Sequence, residues 1–215
     1  MEKDLSNYRK AYLKKELLKT EVPKNPIELF QQWFYEIEAS QGIDEPNAMT
    51  LSTIGTDGFP KSRVVLLKKF TEEGFIFYTN YLSEKGKAIA AHPEVCLSFF
   101  WQNSEQQIII KGKAEKIAKN LSDGYFESRP DGSKLGAWAS PQSDVVPNRE
   151  TLEQQLKTLE ERFQNQNIPR PKHWGGYLVK PMSIEFWQGR ANRMHDRIRY
   201  TVQKDSSWKI DRLAP

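Results

Sequence analysis

Arg63 and Lys68 stand at the two ends of a short apolar run in Ser62–Lys69, an arrangement that suits the binding of anions. Turn signals bound the run, which is therefore predicted to be a strand buried on both faces. Because side chains alternate along a strand, we expect the two cations on opposite faces. A cation at each end of a buried strand needs an anion or water beside it. The alternative is that both strand ends simply reach solvent.

A phosphate site is predicted where Phe77–Asn80 leads into Ser83 and Lys85. A helix that begins at Ser83 presents unpaired backbone N–H groups, which bind anions well. The Ser83 hydroxyl and the Lys85 ammonium add donors, and Arg63 completes a cradle for a phosphate. The alternative is an ordinary helix that Ser83 caps and whose lysine is solvated.

A second, smaller phosphate site is predicted around Tyr125, Arg129 and Ser133. Tyr125 and Arg129 are spaced to share one face of a helix. Ser133 is placed to cap the turn that follows, and Lys68, on the face away from Arg63, can join this group. The alternative is that Arg129 forms a surface ion pair with Glu127 or Asp131.

A basic strand face is predicted at Arg193, His195 and Arg197, with Arg199 continuing it. Cations at alternate positions of a strand repel one another unless an anionic or electron-rich group lies across them. Because Trp187 precedes this strand, the face is interpreted as the wall of a pocket for a flat, charged ring. The alternative is a basic face that is merely solvated.

The elements that position these residues are mainly strands. Helices are predicted from an Asn25 cap until Gly42, and at Ser83–Ala91, Leu121–Glu127 and Asn148–Gln164. Strands are predicted at Ala48–Ile54, Pro60–Phe70, Phe75–Asn80, Val95–Trp101, Gln106–Ile117, Trp174–Trp187, Arg193–Lys204 and Trp208–Ile210. Short connections between consecutive strands favour an antiparallel sheet that closes into a barrel, mainly β with flanking helices. Residues 1–24 are predicted to be a mobile arm or a flap over an anionic ligand, and residues 25–215 a single domain.

Composition narrows the classes of function. The chain has 215 residues, of which 38% are hydrophobic, so it can bury a core; no membrane-spanning run and no secretory signal are predicted. A single cysteine, Cys96, is interpreted as a buried thiol in a reducing compartment, hence a cytoplasmic protein. Three widely separated histidines predict no metal site. A net charge of +4 permits anionic ligands but does not indicate nucleic acid.

Taken in order, these motifs resemble the pyridoxamine 5′-phosphate oxidase family. The stretches that carry the resemblance are Arg63–Lys68, Phe77–Asn80, Tyr125–Pro130, Gly136–Trp138, Gln142–Ser143, Trp174–Gly176, Ile184–Gly189, Arg193–Arg197 and Trp208–Pro215. The resemblance implies a homodimeric, antiparallel split β-barrel of the FMN-binding type, with FMN at the subunit interface. It implies oxidation of pyridoxamine or pyridoxine 5′-phosphate to pyridoxal 5′-phosphate, with O2 as acceptor and H2O2 as product. The near-balanced charge and the lack of a long apolar run predict no nucleic-acid and no membrane partner.

Site residues are carried over by matching motifs. The FMN-binding set implied by the resemblance is Arg63, Val64, Val65, Leu66, Leu67, Lys68, Tyr78, Thr79, Lys85, Gln107, Gln142, Ser143, Trp187 and Arg197. The substrate-binding set implied is Lys68, Tyr125, Arg129 and Ser133 for the phosphate, Arg193, Met194 and His195 at the ring, and Arg9, Lys10, Ala11 and Tyr12 from a covering N-terminal segment. Arg193 and His195 are the implied catalytic residues, which orient the substrate for hydride transfer to the flavin.

One position departs from the family pattern, and two other functions compete with it. Glu84 stands where relatives often carry a second basic residue beside Lys85, which predicts weaker FMN binding unless Glu84 points away or Lys87 compensates. A flavin reductase or flavin carrier of the same barrel class would lack the second phosphate grip. A basic β-barrel that binds single-stranded nucleic acid would carry a clustered basic stripe, which this chain lacks.

Overall fold

The computed structural model describes residues 3–215, in which strands predominate and helices flank them. The helices are α1 (Pro26–Ser40), α2 (Glu84–Ala91), α3 (Lys119–Glu127), α4 (Asp131–Ala139) and α5 (Arg149–Arg162). The strands are β1 (Ala48–Ile54), β2 (Pro60–Leu66), β3 (Lys69–Thr71), β4 (Gly74–Asn80), β5 (Glu94–Trp101), β6 (Gln106–Lys116), β7 (Trp174–Gln188), β8 (Asp196–Val202) and β9 (Trp208–Arg212). Within residues 3–215, no helix is long and apolar enough to cross a bilayer.

The strands hydrogen-bond in the order β2-β1-β5-β6-β7-β4-β3, and β8 joins β7 and β9. The pairs β3–β4, β4–β7, β7–β8 and β8–β9 are antiparallel. The predicted class, a mainly β antiparallel fold with flanking helices, is confirmed. By contacts the chain divides into two compact units, which are described separately. The first unit is the described part of Met1–Met49 with Leu97–Lys111 and Pro181–Pro215, and the second is Thr50–Cys96 with Gly112–Lys180.

In the first unit, α1 begins as its sequence predicts. The Asn25 side chain accepts a hydrogen bond from the Ile27 backbone N–H at 2.9 Å, and Pro26 occupies the first turn. The apolar face of α1 is buried, and Phe30 packs edge-on against Phe99 with ring centroids 5.3 Å apart. Such an aromatic pair stabilises the core by about 0.5–1.5 kcal/mol beyond the area that it buries.

In the second unit, β4 is the central strand. It pairs with β7, which places Phe75 opposite Val179 and Asn80 opposite Trp174. Every residue of β4 is buried except Tyr78, which is half-buried. At the end of β4 the Ser83 hydroxyl donates to the Asn80 carbonyl and accepts from the Gly86 N–H, so it caps α2 as predicted. The hydroxyl is therefore engaged in this cap, which agrees with the alternative prediction for Ser83.

The prediction that Ser62–Lys69 is one strand buried on both faces is wrong. β2 ends at Leu66, and β3 starts only at Lys69. β2 lies at one end of the strand order, and its Val64 is 68% exposed. An apolar run predicts a strand, but the number of neighbours that the strand acquires decides how much of it is buried. The strand with the predicted burial is β4.

Candidate active site

A cavity in the second unit gathers most of the predicted phosphate ligands. It has a volume of about 340 Å³. Its lining consists of Arg63, Val64, Val65, Leu66, Lys68, Tyr78, Thr79, Lys85, Tyr125, Arg129, Gln142 and Trp174. Four of these side chains are cationic and none is acidic. We call this the cation cavity, and its composition suits a ligand with more than one negative charge.

At one side of the cation cavity, Arg63 and Lys85 are held by neutral hydrogen-bond acceptors. Arg63 Nη1 donates to the Leu51 carbonyl at 3.2 Å and to Thr53 Oγ1 at 2.7 Å. Lys85 Nζ donates to Gln142 Oε1 at 3.0 Å. Burial lowers the pKa of both cations, and repulsion by Arg63 lowers that of Lys85 further. An anion bound beside these two cations would favour their charged forms.

Glu84, the departure from the family pattern, does not line the cation cavity. Its carboxylate forms an ion pair with Lys61 at 2.5 Å, and both side chains are about half exposed. Its charge nevertheless acts on the cavity, because it partly offsets the lowering of the Arg63 and Lys85 pKa values. The first condition predicted for Glu84 is therefore met, because its side chain is engaged at the surface. Lys87 does not line the cation cavity and lies 4.0 Å from Asp144.

At the other side of the cavity, Arg129 lies on a layer of aromatic rings. Its guanidinium sits 4.5 Å from the centroid of the Trp174 ring, which stacks on Tyr78 at 5.4 Å. Tyr78 stacks in turn on Tyr125 at 3.9 Å. The Arg129 Nη1 atom is buried and has no hydrogen-bond partner among residues 3–215. A buried donor of this kind costs stability unless a ligand satisfies it.

The surface ion pair considered for Arg129 is not formed. Asp131 instead pairs with Lys134 at 3.0 Å. Burial lowers the Arg129 pKa, and Tyr125 partly opposes this. Burial also raises the Tyr125 pKa, so that its phenol is a hydrogen-bond donor at neutral pH.

Three geometric predictions about this region are wrong. Arg63 and Lys68 line the same cavity instead of opposite faces, because β2 ends before Lys68 and alternation no longer applies there. Arg129 lies beyond the last residue of α3 instead of on its face. Ser133 lies inside α4, is exposed, and makes no side-chain cap, because the helix begins at Asp131.

The first unit holds a second cavity, formed by residues 8–12 and the loop before β8. Its volume is about 590 Å³. Its lining consists of Tyr8, Arg9, Lys10, Ala11, Tyr12, Arg190, Asn192, Arg193 and His195. The structure therefore brings the four predicted N-terminal residues to the two predicted catalytic residues. Met194, also in the substrate set, is 67% exposed and does not line the cavity.

Three rings, Tyr12, Trp187 and His195, form what we call the ring cluster. Tyr12 lies edge-on to Trp187 at 5.7 Å and to His195 at 5.8 Å, and Trp187 lies 4.7 Å from His195. His195 Nδ1 accepts a hydrogen bond from the Arg190 backbone N–H at 3.1 Å, which places the proton of the neutral ring on Nε2. This cluster offers a flat ligand both aromatic faces and a histidine donor.

The predicted strand face of Arg193, His195 and Arg197 is not formed. β8 begins at Asp196, and Asn192 and Arg193 adopt left-handed backbone angles with φ of 54° and 61°. Two such residues turn the chain, so strand alternation does not extend back to Arg193. Arg197 is on β8, where its Nε is 2.8 Å from Glu185 Oε1. Glu185 is the anionic neighbour that the run of cations required.

Five other predicted residues lie outside both linings. One of them, Trp187, is half-buried in the ring cluster. Leu67 is buried, Ser143 is exposed, and Gln107 is half-buried on β6. The Arg197 guanidinium donates hydrogen bonds to the Glu185 carboxylate and the Ala214 carbonyl. Their assignment to the cofactor remains a prediction. The described residues contain no group of three or more His, Cys, Asp or Glu side chains that could hold a metal ion.

Two residues that matter to these sites had no role predicted for them. Trp174 belongs to a recognised motif, but only the fold shows that its ring supports Arg129. Glu105 accepts hydrogen bonds from the backbone N–H groups of Leu13 and Lys14. The sequence near Glu105 shows only that it closes a turn after Gln102–Ser104.

The pKa of His195 is lowered from its ordinary value of 6.5, first by burial and then by Arg193. The unfolded chain therefore takes up this proton before the folded chain does. We expect the stability of the protein relative to a His195→Asn variant to be constant above pH 6.5 and to fall as the pH drops through the lower folded-state pKa. Urea unfolding of both proteins between pH 5 and 8 measures this. A wild-type protein that becomes more stable relative to the variant towards acid pH would contradict the prediction.

Comparisons with known proteins match almost the whole chain. A family model described as pyridoxamine 5′-phosphate oxidase matches residues 36–163, and one described as pyridoxine 5′-phosphate oxidase C-terminal dimerisation region matches residues 174–215. The pyridoxine/pyridoxamine 5′-phosphate oxidase of Flavobacterium johnsoniae is 67% identical over 98% of this chain and 99% of its own length. That of Trichormus variabilis is 48% identical over the full length of both. This chain belongs to the pyridoxine/pyridoxamine 5′-phosphate oxidase family.

Membership in this oxidase family makes the chain an oxidoreductase and confirms the predicted resemblance. A solved structure of PhzG from Burkholderia lata, in complex with tetrahydrophenazine-1-carboxylic acid, is 29% identical with a TM-score of 0.85 over 93% of this chain and 98% of that one. A pyridoxamine 5′-phosphate oxidase-related, FMN binding protein of Nostoc punctiforme is 15% identical with a TM-score of 0.70 over 90% of this chain and all of that one. The predicted fold, a split barrel of the FMN-binding type, is confirmed. The oxidase chain also contains the family's dimerisation region.

Proposed function

We propose that this protein is an FMN-dependent oxidase that converts pyridoxamine or pyridoxine 5′-phosphate to pyridoxal 5′-phosphate, with O2 as acceptor and H2O2 as product. The observation that carries the proposal is the buried Arg129 Nη1 donor without a partner, in a cavity that three further cations line. A phosphate satisfies this donor and offsets the positive charge of the cavity lining. A flavin carrier that binds no phosphorylated substrate would not need a second phosphate site at Arg129.

The residues present fit an FMN phosphate at Arg63 and Lys85. Both cations carry a pKa that burial lowers, and both point into one cavity. Gln142 accepts hydrogen bonds from Thr79 at 3.2 Å and from Lys85 at 3.0 Å, which keeps the lysine in place. FMN, when bound, supplies the two-electron redox chemistry that amino-acid side chains lack.

Arg129, Lys68 and Tyr125 are proposed to hold the substrate phosphate. Arg129 offers a planar pair of N–H donors that its contact with Trp174 orients, and Tyr125 offers an O–H donor. Because a phosphate held at several points cannot rotate freely, the rest of the substrate is presented in one orientation, which favours reaction at a single carbon. Ser133 is kept in the proposal as a further phosphate ligand.

The ring cluster is proposed to take the pyridine ring of the substrate. Arg193 and His195 line the cavity that Tyr12 closes, and neutral His195 carries its proton on Nε2, where it can donate to a ring substituent. Arg193 adds a cation that attracts the anionic substrate. In the proposed reaction these residues orient the substrate and exclude water.

The proposal extends to a homodimer with FMN at the subunit interface, so that one protomer and its partner both contribute contacts. The matched dimerisation region supports this assembly. We also propose a cytoplasmic location, which agrees with a chain that holds one cysteine and so cannot form an internal disulfide.

Peroxide release tests the proposal directly. The purified protein is saturated with FMN, its flavin absorbance is recorded, and H2O2 is measured after pyridoxine 5′-phosphate is added under air. We expect a bound flavin and stoichiometric H2O2 and pyridoxal 5′-phosphate, with far less product from unphosphorylated pyridoxine. A flavin-loaded protein that releases no peroxide would favour a carrier or a reductase. A protein that refuses FMN would overturn the flavoenzyme assignment.

Replacing Glu84 with glutamine is expected to tighten FMN binding by no more than about threefold. The carboxylate is half exposed and already paired with Lys61. Solvent screens an exposed charge of this kind, so its effect on a bound phosphate is small. Quenching of FMN fluorescence on titration measures the change in Kd. A tenfold or larger change would mean that Glu84 acts on the cation cavity directly.

A further inference from the structure

Glu105 is a buried carboxylate that binds the N-terminal segment, defined here as residues 8–17. Its residue is 2% exposed. Glu105 Oε2 accepts hydrogen bonds from the Leu13 N–H at 2.9 Å and the Lys14 N–H at 3.1 Å, and Oε1 lies 3.4 Å from Lys10 Nζ. One carboxylate thus holds donors on both sides of Tyr12. Charge-assisted hydrogen bonds of this kind are stronger than neutral ones.

The backbone at Glu105 is poorly suited to a glutamate. Its φ is +58°, a left-handed conformation that glycine and asparagine adopt far more readily than glutamate does. A turn alone would be served better by asparagine, whose side chain is too short to span the same distance to Leu13 and Lys14. We conclude that the length and charge of the Glu105 side chain have a use beyond the turn.

Glu105 and Gly189 together fix the place of Tyr12. The Gly189 N–H donates to the Glu105 carbonyl at 2.7 Å. A Cβ atom at position 189 would lie 2.8 Å from Tyr12 Cγ and 3.1 Å from Glu105 Cβ, so the tyrosine ring rests directly on this glycine. From there it contacts Trp187 and His195 in the ring cluster.

We propose that Glu105 is a positioning residue that fixes the N-terminal segment and thereby places Tyr12 over the ring cluster, where the substrate ring binds. The carboxylate of Glu105 contacts the second cavity only at its edge. It pairs with Lys10, which lines the cavity, and binds the backbone N–H groups of Leu13 and Lys14, which follow Tyr12. It acts on the substrate through Tyr12. The expected effect of Glu105 on substrate binding rests on the proposed function. Its expected effect on the N-terminal segment does not.

Glu105→Asn tests the proposal because asparagine suits the left-handed turn and cannot hold the segment. Hydrogen exchange at the Leu13 and Lys14 amides is expected to accelerate by about tenfold or more in the FMN-loaded protein. The KM for pyridoxine 5′-phosphate is expected to rise by about tenfold or more, with kcat within about threefold. In a Tyr12→Ala background, Glu105→Asn is expected to change KM by less than about twofold, because the two residues act as one unit.

Glu36→Gln is the matched control. Glu36 also pairs with the N-terminal part of the chain, through Lys15 at 2.5 Å, but both side chains are about half exposed. We expect exchange at Leu13 and Lys14 and the KM to stay at the wild-type values. Should Glu105→Asn fail to fold, Glu105→Gln carries the test, with the same directions and an exchange increase of at least about threefold.

The outcomes separate the two proposals. Unchanged exchange at Leu13 and Lys14 in the Glu105 variant overturns the inference, whatever the activity. Faster exchange with unchanged KM overturns the link to the substrate, as does a Glu105→Asn effect that is equally large without Tyr12. A wild-type protein without oxidase activity overturns the proposed function, whereas the exchange result still decides whether Glu105 holds the segment.

Discussion

Replacing Arg129 with alanine is expected to lower kcat/KM for pyridoxine 5′-phosphate by about 100-fold to 1,000-fold. Truncating one partner of a buried, hydrogen-bonded charge pair costs about 2–5 kcal/mol, and each 1.4 kcal/mol is about tenfold. Arg129 would form such a pair with the proposed substrate phosphate, because its Nη1 is buried, has no hydrogen-bond partner among the described residues, and lies on the Trp174 ring. Steady-state peroxide release measures the loss, which should appear mainly in KM if the phosphate is bound equally throughout the reaction.

Two controls make this prediction specific. Arg162→Ala also removes an arginine from aromatic rings, since Arg162 lies 5.1 Å from the Phe163 ring and 5.7 Å from the Trp138 ring, but it does not line the cation cavity. It should leave kcat/KM within about twofold. Unphosphorylated pyridoxine is the second control, because the Arg129→Ala defect should nearly vanish with it. A defect of equal size for both substrates would remove Arg129 from phosphate binding.

Replacing Arg63 with alanine is expected to weaken FMN binding by about 100-fold. Arg63 is anchored by Leu51 and Thr53 and faces the same cavity as Lys85, so its loss removes a fixed cation from the proposed phosphate cradle. Arg63→Lys should recover only part of the affinity, because an ammonium lacks the planar fork of a guanidinium. FMN fluorescence quenching gives the Kd, and kcat at saturating FMN should change little.

Lys113→Ala provides the matched control for charge. Lys113 belongs to the same unit, and its side chain is 57% exposed and pairs with Glu94 at 3.4 Å. It does not line the cation cavity. It changes the net charge of the protein by the same amount as Arg63→Ala. If both variants weaken FMN binding equally, the effect is one of overall charge and the local assignment of Arg63 fails.

The local pattern of the sequence was sufficient for most elements. Asn25-Pro26 predicted the start of α1, and Ser83 predicted the start of α2, because a cap depends only on residues within one turn. Strand periodicity predicted β1, β4 and β6 within about a residue for the same local reason. The residue types of Arg63, Lys85 and Arg129 indicated anion binding before any contact between them was known.

What the sequence alone determined is therefore the chemistry of the side chains and the elements that carry them: two anion-binding groups, one set of rings, and an antiparallel β-fold. Only the tertiary structure decided how they meet. Strand alternation holds only as long as a strand stays paired. In the folded chain β2 ends before Lys68, and β8 begins after His195 because Asn192 and Arg193 turn the backbone there. The contacts of Glu105 are likewise decided by the tertiary structure. Its carboxylate is more than ninety residues from the amides of Leu13 and Lys14 in the sequence and reaches them only once the chain has folded.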